Sequence, residues 1–241
     1  MNIIVNGAGG RMGRELLRLM EEKGLTPAAT VDPQGGAGTV ADLKAYGGPA
    51  DVVVDFSHHT ATWGLMAYCV ERSLPVVVAT TGQTPEELVV IQQAAEQIPV
   101  FRSANLSVGI TLLARLVRQA AAVLEGYDVE IVEAHHNRKA EAPSGTALLL
   151  ADAVKTRRPQ ARYVCGRAGA QPRSPEDIGI HALRMGNVVG WHEVIFASGT
   201  QTITLRHEAH DRAVLADGAL TAAGFLVRQK PGLYSMEDLL G

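Results

Sequence analysis

Groups that can carry protons are concentrated in one short segment, residues 133–146. His135 and His136 are adjacent there, and Lys139 follows them closely. An imidazole titrates near neutral pH and a lysine can be brought into that range, so both suit general acid–base catalysis. The alternative is a basic, solvated loop that binds nothing. We interpret the segment as a candidate site where a negatively charged substrate is held and protonated.

A turn of small residues closes this segment and begins a helix. Alternating apolar residues at 127–132 predict a strand before the segment, and residues 147–151 predict a helix after it. Ser144 is a favoured N-cap residue, and Gly145 and Thr146 open the helix. Because the N-terminus of a helix offers backbone N–H groups and a positive dipole end, these three residues are predicted to hold a carboxylate.

A second motif, near the N-terminus, predicts a nucleotide-binding loop. A short apolar run at 2–6 is typical of a buried parallel strand, and a helix is predicted over 14–23. Between them, Gly7, Gly10 and Gly13 are spaced much as in the dinucleotide fingerprint, where glycines allow a tight turn and a close approach of the pyrophosphate. A glycine-rich turn without a ligand is the alternative, and the strand–turn–helix context favours the nucleotide.

Asp32 ends the second predicted strand, residues 28–31. An acid at this position typically accepts hydrogen bonds from the adenosine ribose hydroxyls. A 2′-phosphate would meet its negative charge unless a cation such as Arg11 compensated. The sequence therefore favours NADH without excluding NADPH, and a turn acid before Pro33 is the alternative.

Strands and helices alternate through the first hundred residues, with further strands predicted at 51–57, 75–79 and 99–102 and helices at 60–72 and 84–97. This alternation predicts an α/β fold, a Rossmann-type doubly wound parallel sheet with right-handed crossovers. Ligands bind at the carboxyl ends of such strands, where loops 56–59, 79–82 and 103–106 are expected. His58 and His59 lie in the first loop, and a histidine pair there is more often loop polarity than a site.

The pattern changes after a predicted helix at 108–124, with longer strands predicted at 127–134, 178–184, 190–197 and 201–207. The stretch 157–176 is rich in Arg, Pro and Gly and predicts a loop. Short turns join the last three strands, so we predict a second α+β domain with a mixed, mostly antiparallel sheet. A final helix is predicted at 212–228. Apolar residues around Trp191 suit either an oligomer interface or the domain core.

Composition excludes several classes of protein. A net charge of −3 over 241 residues gives no general reason to expect nucleic acid or an anionic membrane as a partner. Cys69 and Cys165 are far apart and lack zinc-ligand spacing, so neither a metal site nor a disulfide framework is predicted. No apolar run reaches the roughly 20 residues of a membrane span, and no signal-peptide pattern is found. We therefore expect a cytoplasmic protein.

Together these motifs resemble the bacterial dihydrodipicolinate reductases, also described as 4-hydroxy-tetrahydrodipicolinate reductases. The matching segments are 7–13, 55–57, 79–82, 103–107, 133–136 with Lys139, 142–147, 190–194, 217–220 and 232–234. They span nearly the whole chain, and those between 133 and 147 are the most specific. The resemblance implies NADH- or NADPH-dependent reduction of a cyclic, unsaturated dicarboxylate in lysine (diaminopimelate) biosynthesis by a homotetramer.

The resemblance also implies roles for individual residues. His135 takes the position of the general acid/base, Lys139 that of the proton donor, and His136, Gly145 and Thr146 match substrate-binding positions. The cofactor-binding positions are Gly7, Ala8, Gly9, Gly10, Arg11, Met12, Asp32, Ala79, Thr80, Thr81, Ser103, Ala104, Asn105 and Leu106. The family's C-terminal helix returns to the nucleotide domain. Residues 1–106 and 216–241 are therefore predicted to bind the dinucleotide, and residues 107–215 to bind substrate and form the oligomer.

The chain departs from the family pattern in a few places without losing a proposed catalytic group. Glu141 stands where Asp is usual, Asn137-Arg138 replaces a common Arg/His pair, Ala79 replaces a frequent Gly, and Gln201 lies near an often acidic position. Two alternative functions stay open. One is a related two-domain imine or amino-acid reductase; the other is a catalytically silent NAD(P)-sensing module, which would need neither proton carrier.

Overall fold

The computed structural model of the protein describes residues 1–36 and 38–241 and forms two compact units, Met1–Ser107 with Ala213–Gly241, and Val108–Arg212. In chain order the strands are β1 (Ile3–Asn6), β2 (Ala29–Val31), β3 (Thr39–Val40), β4 (Val52–Asp55), β5 (Val76–Val78), β6 (Pro99–Arg102), β7 (Asp128–His135), β8 (Arg162–Cys165), β9 (Asp177–Arg184), β10 (Gly190–Ala197), β11 (Thr202–Ala209) and β12 (Gly232–Tyr234). The helices are α1 (Arg11–Glu22), α2 (Thr62–Glu71), α3 (Pro85–Ala95), α4 (Val108–Val123), α5 (Gly145–Lys155), α6 (Ala213–Leu226) and α7 (Met236–Leu240), with short 3₁₀ turns at Leu43–Ala45 and His59–Ala61.

The first unit is built on a sheet with the strand order β12-β6-β5-β4-β1-β2-β3, in which neighbouring strands pair in parallel. Strands β1 and β4 are buried at every position, as expected for apolar runs covered on both faces. The strand order reverses between these two strands, and ligands of doubly wound sheets bind at such a switch point. The predicted Rossmann-type parallel sheet is confirmed.

The second unit contains a mixed sheet with the order β11-β10-β7-β9-β8. Strand β10 pairs antiparallel with β11 and β7, whereas β9 pairs parallel with β7 and β8. A mixed sheet was predicted, but antiparallel pairs do not predominate among the described residues. The parallel pairing brings the carboxyl ends of β7 and β9 to the same edge, with His135 opposite Arg184. Helices α4 and α5 contribute Val117 and Leu150 to a core shared with Ile131 of β7.

Several predicted boundaries were wrong. The stretch 157–176, predicted as a loop, contains β8, a partly exposed edge strand whose pairing with β9 could not be seen from an apolar pattern. Helix α1 begins at Arg11 rather than residue 14, because the glycine turn is shorter than its sequence pattern suggests. Strand β12 joins β6 near the C-terminus and was not predicted.

Within the described ranges, no helix is both long and apolar enough to cross a membrane.

Candidate functional site

The glycine turn after β1 depends on its glycines for steric reasons. Gly7 has a φ of +77°, and a Cβ on it would lie 2.6 Å from the backbone of Phe56 and Ser57. A Cβ on Gly13 would overlap the carbonyl oxygen of Gly7. Gly10 is the N-cap of α1, so the amino end of this helix faces the turn without a side-chain cap. The turn thus has the backbone geometry that a pyrophosphate requires.

Asp32 lies directly against this turn. Its Oδ2 accepts a hydrogen bond from the Gly9 N–H at 2.9 Å, and its Oδ1 accepts one from the Gln34 N–H at 3.0 Å. A Cβ on Gly9 would lie 2.8 Å from Oδ2. The predicted ribose-binding carboxylate and the predicted pyrophosphate-binding turn are therefore neighbours, as they must be to bind the two parts of one dinucleotide.

A buried carboxylate fixes the loop that follows β5. Asp55, at the end of β4, accepts hydrogen bonds from Asn6 Nδ2 at 2.7 Å, Ser57 Oγ at 2.6 Å and Thr80 Oγ1 at 2.7 Å. Burial raises the pKa of Asp55, although these hydrogen bonds oppose the rise. The network joins β1, β4 and the loop that carries Thr80. It therefore positions a predicted cofactor residue without contributing an exposed group.

The other predicted cofactor loops also follow parallel strands of the first sheet. Residues 79–81 come after β5 and residues 103–106 after β6. Ser103 Oγ donates a hydrogen bond to the Asn105 carbonyl oxygen at 2.7 Å, which shapes the second of these loops. Leu106 is buried, and a Cβ on Gly218 of α6 would overlap its carbonyl oxygen. Sequence reasoning did not identify this close approach between the loop and α6.

His58 and His59 have local structural partners. His58 Nδ1 lies 3.4 Å from the Thr60 N–H and caps a 3₁₀ turn. His59 Nδ1 lies 2.9 Å from the carboxylate of Glu87, which belongs to the capping box of α3. These contacts favour the interpretation of this histidine pair as loop structure.

In the second unit, a buried glutamate connects the elements around His135. Glu133 and His135 alternate along β7 and so share one face, and Glu133 Oε2 lies 2.6 Å from His135 Nδ1. Arg184 donates to both oxygens of Glu133 at 2.8 Å, and the Ser144 N–H donates to Oε1 at 3.0 Å. Burial by itself would raise the pKa of Glu133, but the hydrogen bonds from Arg184, His135 and Ser144 outweigh it and lower the pKa. Glu133 is therefore an ionised acceptor at neutral pH.

A second buried histidine lies beside the first. His192 on β10 is 4% exposed, and its Nε2 lies 3.0 Å from Ser144 Oγ. The same oxygen accepts the Ala147 N–H at 3.2 Å and so caps α5. The rings of His192 and His135 meet edge to face, 5.2 Å apart. Burial, followed by the charge of His135, lowers the pKa of His192 to about 3, so this ring is neutral.

Burial and nearby cations also control the two adjacent histidines. Burial lowers the pKa of His135; hydrogen bonding to Glu133 opposes this, and the charges of Lys139 and Arg184 add to the lowering. Burial also lowers the pKa of His136, with Arg138 as the largest neighbouring charge. At neutral pH both rings are therefore mostly neutral in a cationic environment, which suits a dicarboxylate.

Lys139 and the helix start complete the cluster. Lys139 Nζ lies 3.4 Å from the carboxylate of Glu141, whose backbone carbonyl oxygen accepts a hydrogen bond from Arg184. Gly145 is exposed at the amino end of α5, with open space around its Cα. Ser144 is different, because its hydroxyl and its N–H both bind protein groups.

Glu133, His135 and His192 also offer three potential metal ligands within 4.8 Å of one another. Both carboxylate oxygens of Glu133 already accept hydrogen bonds from the Arg184 guanidinium. A metal ion there would compete with these donors and be repelled by the arginine charge. The donor set fits a hydrogen-bonded proton network better than a metal centre.

Sequence reasoning identified His135, Lys139 and the start of α5, but it missed Glu133, Arg184 and His192 as parts of the cluster. One signal was present, since the alternation of Glu133 and His135 places them on one face of a predicted strand. A buried glutamate also demands a partner. The partner's identity depends on the parallel pairing of β7 with β9, which the chain pattern did not predict.

Comparisons with known proteins cover the whole chain. Residues 1–106 match the family model "Dihydrodipicolinate reductase, N-terminus", and residues 109–240 match "Dihydrodipicolinate reductase, C-terminus". A 4-hydroxy-tetrahydrodipicolinate reductase of Caldanaerobacter subterraneus is 48% identical, covering 100% of this chain and 98% of the relative. One of Alkaliphilus oremlandii is 42% identical, covering 100% and 98%.

A solved structure shares the fold. The dipicolinate-bound dihydrodipicolinate reductase of Paenisporosarcina sp. TG-14 superposes with a TM-score of 0.80 at 23% identity, covering 98% of this chain and 97% of that one. This likeness extends across both units and agrees with the parallel and mixed sheets described above.

Proposed function

Because the chain belongs to the dihydrodipicolinate reductase family, we propose that it reduces 4-hydroxy-tetrahydrodipicolinate to tetrahydrodipicolinate in lysine (diaminopimelate) biosynthesis. It is an oxidoreductase that uses a nicotinamide cofactor. The observation that carries the proposal is the cationic cluster at the end of β7. There His135 and Lys139 stand beside the amino end of α5. The helix end can bind a carboxylate, and the two side chains can supply the proton that a reduced dicarboxylate needs.

The first unit offers a fitting place for the cofactor. The turn at Gly7 and Gly13 has no room for side chains, and Asp32 lies against it. We propose that residues 7–12, Asp32, 79–81 and 103–106 hold the dinucleotide. A bound nicotinamide supplies the hydride, and the protein contributes orientation and a proton.

The substrate carboxylates are assigned to the other unit. Gly145 and Thr146 at the start of α5 are proposed to bind one of them, with His136 as a further partner. Ser144 was predicted to bind substrate as well. Since its hydroxyl and N–H have protein partners, we propose that it acts by capping α5 and shaping this helix start.

Substrate binding changes the protonation of His135. In the free protein, burial keeps its pKa low. Two substrate carboxylates nearby would favour the imidazolium and raise the pKa. His135 then becomes a proton carrier when the dicarboxylate is bound, with Lys139 as its cationic neighbour. The proton that the ring gains on substrate binding is then available for donation to the reduced substrate, which is the role of a general acid.

The alternatives are less well supported. A related imine or amino-acid reductase would share the two-unit plan, but the full-length relatives reported above are named 4-hydroxy-tetrahydrodipicolinate reductases. A silent nucleotide sensor would not need the ionised Glu133 that holds His135. Both are therefore disfavoured.

NADH is proposed as the preferred cofactor, and substitutions of Asp32 test this. Asp32→Ala should raise the KM for NADH far more than the KM for NADPH, because the ribose acceptor is lost while repulsion of a 2′-phosphate disappears. Part of the loss should be common to both cofactors, since Asp32 also holds the Gly9 N–H. The measurement is therefore the ratio of the two KM values.

Asp32→Asn is the matched control, because it removes the charge but keeps one oxygen that can accept the Gly9 N–H, at the cost of the hydrogen bond from Gln34. We expect it to improve NADPH relative to NADH with little loss of stability. An equal loss for both cofactors in both variants would contradict the ribose role of Asp32.

A homotetramer and a cytoplasmic location also belong to the proposal. Trp191 and Ile195 lie on one face of β10 and are only half-buried within the chain. Apolar side chains on one face of a sheet suit an interface between copies. The family resemblance supports the same assembly.

The most direct test is an assay in which the unstable substrate is generated in place and oxidation of NADH and NADPH is followed in parallel. We expect turnover that depends on the substrate, and competitive inhibition by pyridine-2,6-dicarboxylate, a planar mimic of the ring with both carboxylates. Absence of turnover with either cofactor, or of inhibition at millimolar concentrations, would contradict the substrate assignment.

A further inference from the structure

His135 is enclosed by groups that have no assigned role in the proposed reaction. Its Nδ1 lies on Glu133, one side of its ring meets His192, and its Nε2 edge lies over Gly190. The side chain of His135 is 13% exposed. Such confinement leaves the ring few orientations, so its orientation depends on these neighbours.

We infer that Glu133, Arg184 and Gly190 are positioning residues that fix the tautomer and ring orientation of His135, so that Nδ1 keeps its proton and Nε2 exchanges protons with the substrate. The inference rests on the proposed role of His135. It identifies Nε2 as the atom through which His135 transfers a proton, and it identifies the residues that make this atom available.

Glu133 selects the tautomer. An ionised carboxylate has no proton to donate, so the 2.6 Å contact with His135 requires the imidazole to donate from Nδ1. In the neutral ring, Nε2 then carries the free lone pair. Arg184 keeps Glu133 ionised and in place by donating to both of its oxygens. A carboxylate that orients a histidine in this way sets which nitrogen is available for proton transfer.

Gly190 determines where Nε2 can lie. It is the buried first residue of β10, and a Cβ on it would lie 2.9 Å from His135 Nε2 and 3.1 Å from Cδ2. Its φ lies outside the left-handed region, so the backbone itself tolerates alanine. The requirement for glycine at this position therefore comes from the imidazole, and a methyl group would push the ring off Glu133.

The charged and titratable groups facing His135 come from four segments. Among the described residues they are Glu133 on β7, His136 and Lys139 in the following loop, Arg184 on β9 and His192 on β10. Arg184 and Lys139 offset the charge of Glu133. This arrangement fixes the position of one proton without holding the second proton tightly, as a reversible acid–base group requires.

The first measurement is ¹⁵N NMR of histidine-labelled wild-type protein without substrate, above pH 7, with the His135 signals assigned by their loss in His135→Gln. We expect a protonated Nδ1 and an unprotonated Nε2. A protonated Nε2 in the neutral ring would overturn the inference. This result needs no turnover, so it separates failure of the inference from failure of the proposed function.

The second measurement is kinetic. Glu133→Gln and Gly190→Ala should each lower kcat by about tenfold to a hundredfold, by analogy with the loss of a hydrogen-bonding partner that orients a metal-bound histidine, with a smaller change in substrate KM. In a His135→Ala background, neither substitution should lower kcat further. An undiminished effect in that background would mean that these residues do not act through His135 and would overturn the inference.

The chain provides matched controls. Glu130, on the same strand, lies 2.8 Å from His181 Nε2 and 3.3 Å from Arg173 Nε, a similar glutamate–histidine–arginine group outside the cluster. Glu130→Gln should keep the wild-type kcat. Gly199 has open space around its Cα, so Gly199→Ala should also be silent. If Glu133→Gln does not fold, the tautomer of the wild-type protein and the kcat of Gly190→Ala still test the inference. A normal kcat in folded Gly190→Ala would contradict the role of Gly190.

Discussion

His135→Ala and Lys139→Ala should each lower turnover by ~10²-fold or more, the usual scale of general acid–base catalysis. The two groups cannot replace one another. His135 Nδ1 is held on Glu133, whereas Lys139 Nζ is a partly exposed ammonium 3.4 Å from Glu141. Loss of either residue removes one of the two groups proposed to deliver the proton to the reduced substrate. Steady-state kcat and KM, measured with saturating cofactor, test the prediction.

Two substitutions control for the loss of a histidine or a lysine elsewhere in the same unit. His181→Ala removes a histidine paired with Glu130, and Lys155→Ala removes a lysine whose Nζ lies 5.0 Å from the centre of the Tyr163 ring. Both should keep near-normal kcat. Near-normal rates in both His135→Ala and Lys139→Ala would instead refute the site assignment.

The pH profile should report His135 in two states. Because burial lowers its pKa in the free protein, kcat/KM should fall as the pH rises through a value below 6.5. The bound dicarboxylate raises the pKa, so the corresponding fall in kcat should occur at higher pH. Identical profiles for kcat and kcat/KM would contradict proton uptake by His135 on binding.

The second large effect is acid destabilisation through His192. Its pKa falls from 6.5 to about 3 on folding, mainly because the ring is buried. Between these values the unfolded chain binds a proton that the folded ring does not. The contribution of His192 to the free energy of unfolding is therefore fully present above pH 6.5, and it is lost as the pH falls from 6.5 to 3. The loss between pH 7 and pH 5 is about 2 kcal/mol.

Calorimetry at the two pH values would measure this loss as a fall in Tm of roughly 4–8 °C for a chain of this size. His192→Gln keeps an amide for Ser144 but cannot titrate, so its Tm should fall less between pH 7 and pH 5. The lowered pKa values of His135, His136 and His207 act in the same direction and leave a residual decrease. An equal decrease in wild type and His192→Gln would show that His192 is not responsible.

The main features of the chain could be predicted from local pattern. The glycine turn before α1 was recognised because Gly7 and Gly13 have no room for a Cβ, a local steric requirement that leaves a spacing in the sequence. Ser144 was recognised as an N-cap for a similarly local reason, and its hydroxyl caps α5 as predicted. The alternating strands and helices identified the parallel sheet of the first unit.

Weak or non-local pairings could not be predicted in this way. The edge strands β8 and β12 are short, and each forms because a partner strand offers free backbone groups rather than because of its own pattern. The parallel pairing of β7 with β9 has the same origin. It places Arg184 opposite His135, although the two residues are far apart in sequence.

For the segment 133–146, the sequence by itself determined the groups that we propose as proton carriers, the strand before them and the helix that follows. Only the tertiary structure decided how those groups are controlled. Glu133 became an ionised acceptor because β9 brought Arg184 to it, and His135 became a ring with one anchored nitrogen because β10 placed Gly190 and His192 against it. Burial and hydrogen bonding set pKa values and tautomers, and both depend on which strands become neighbours.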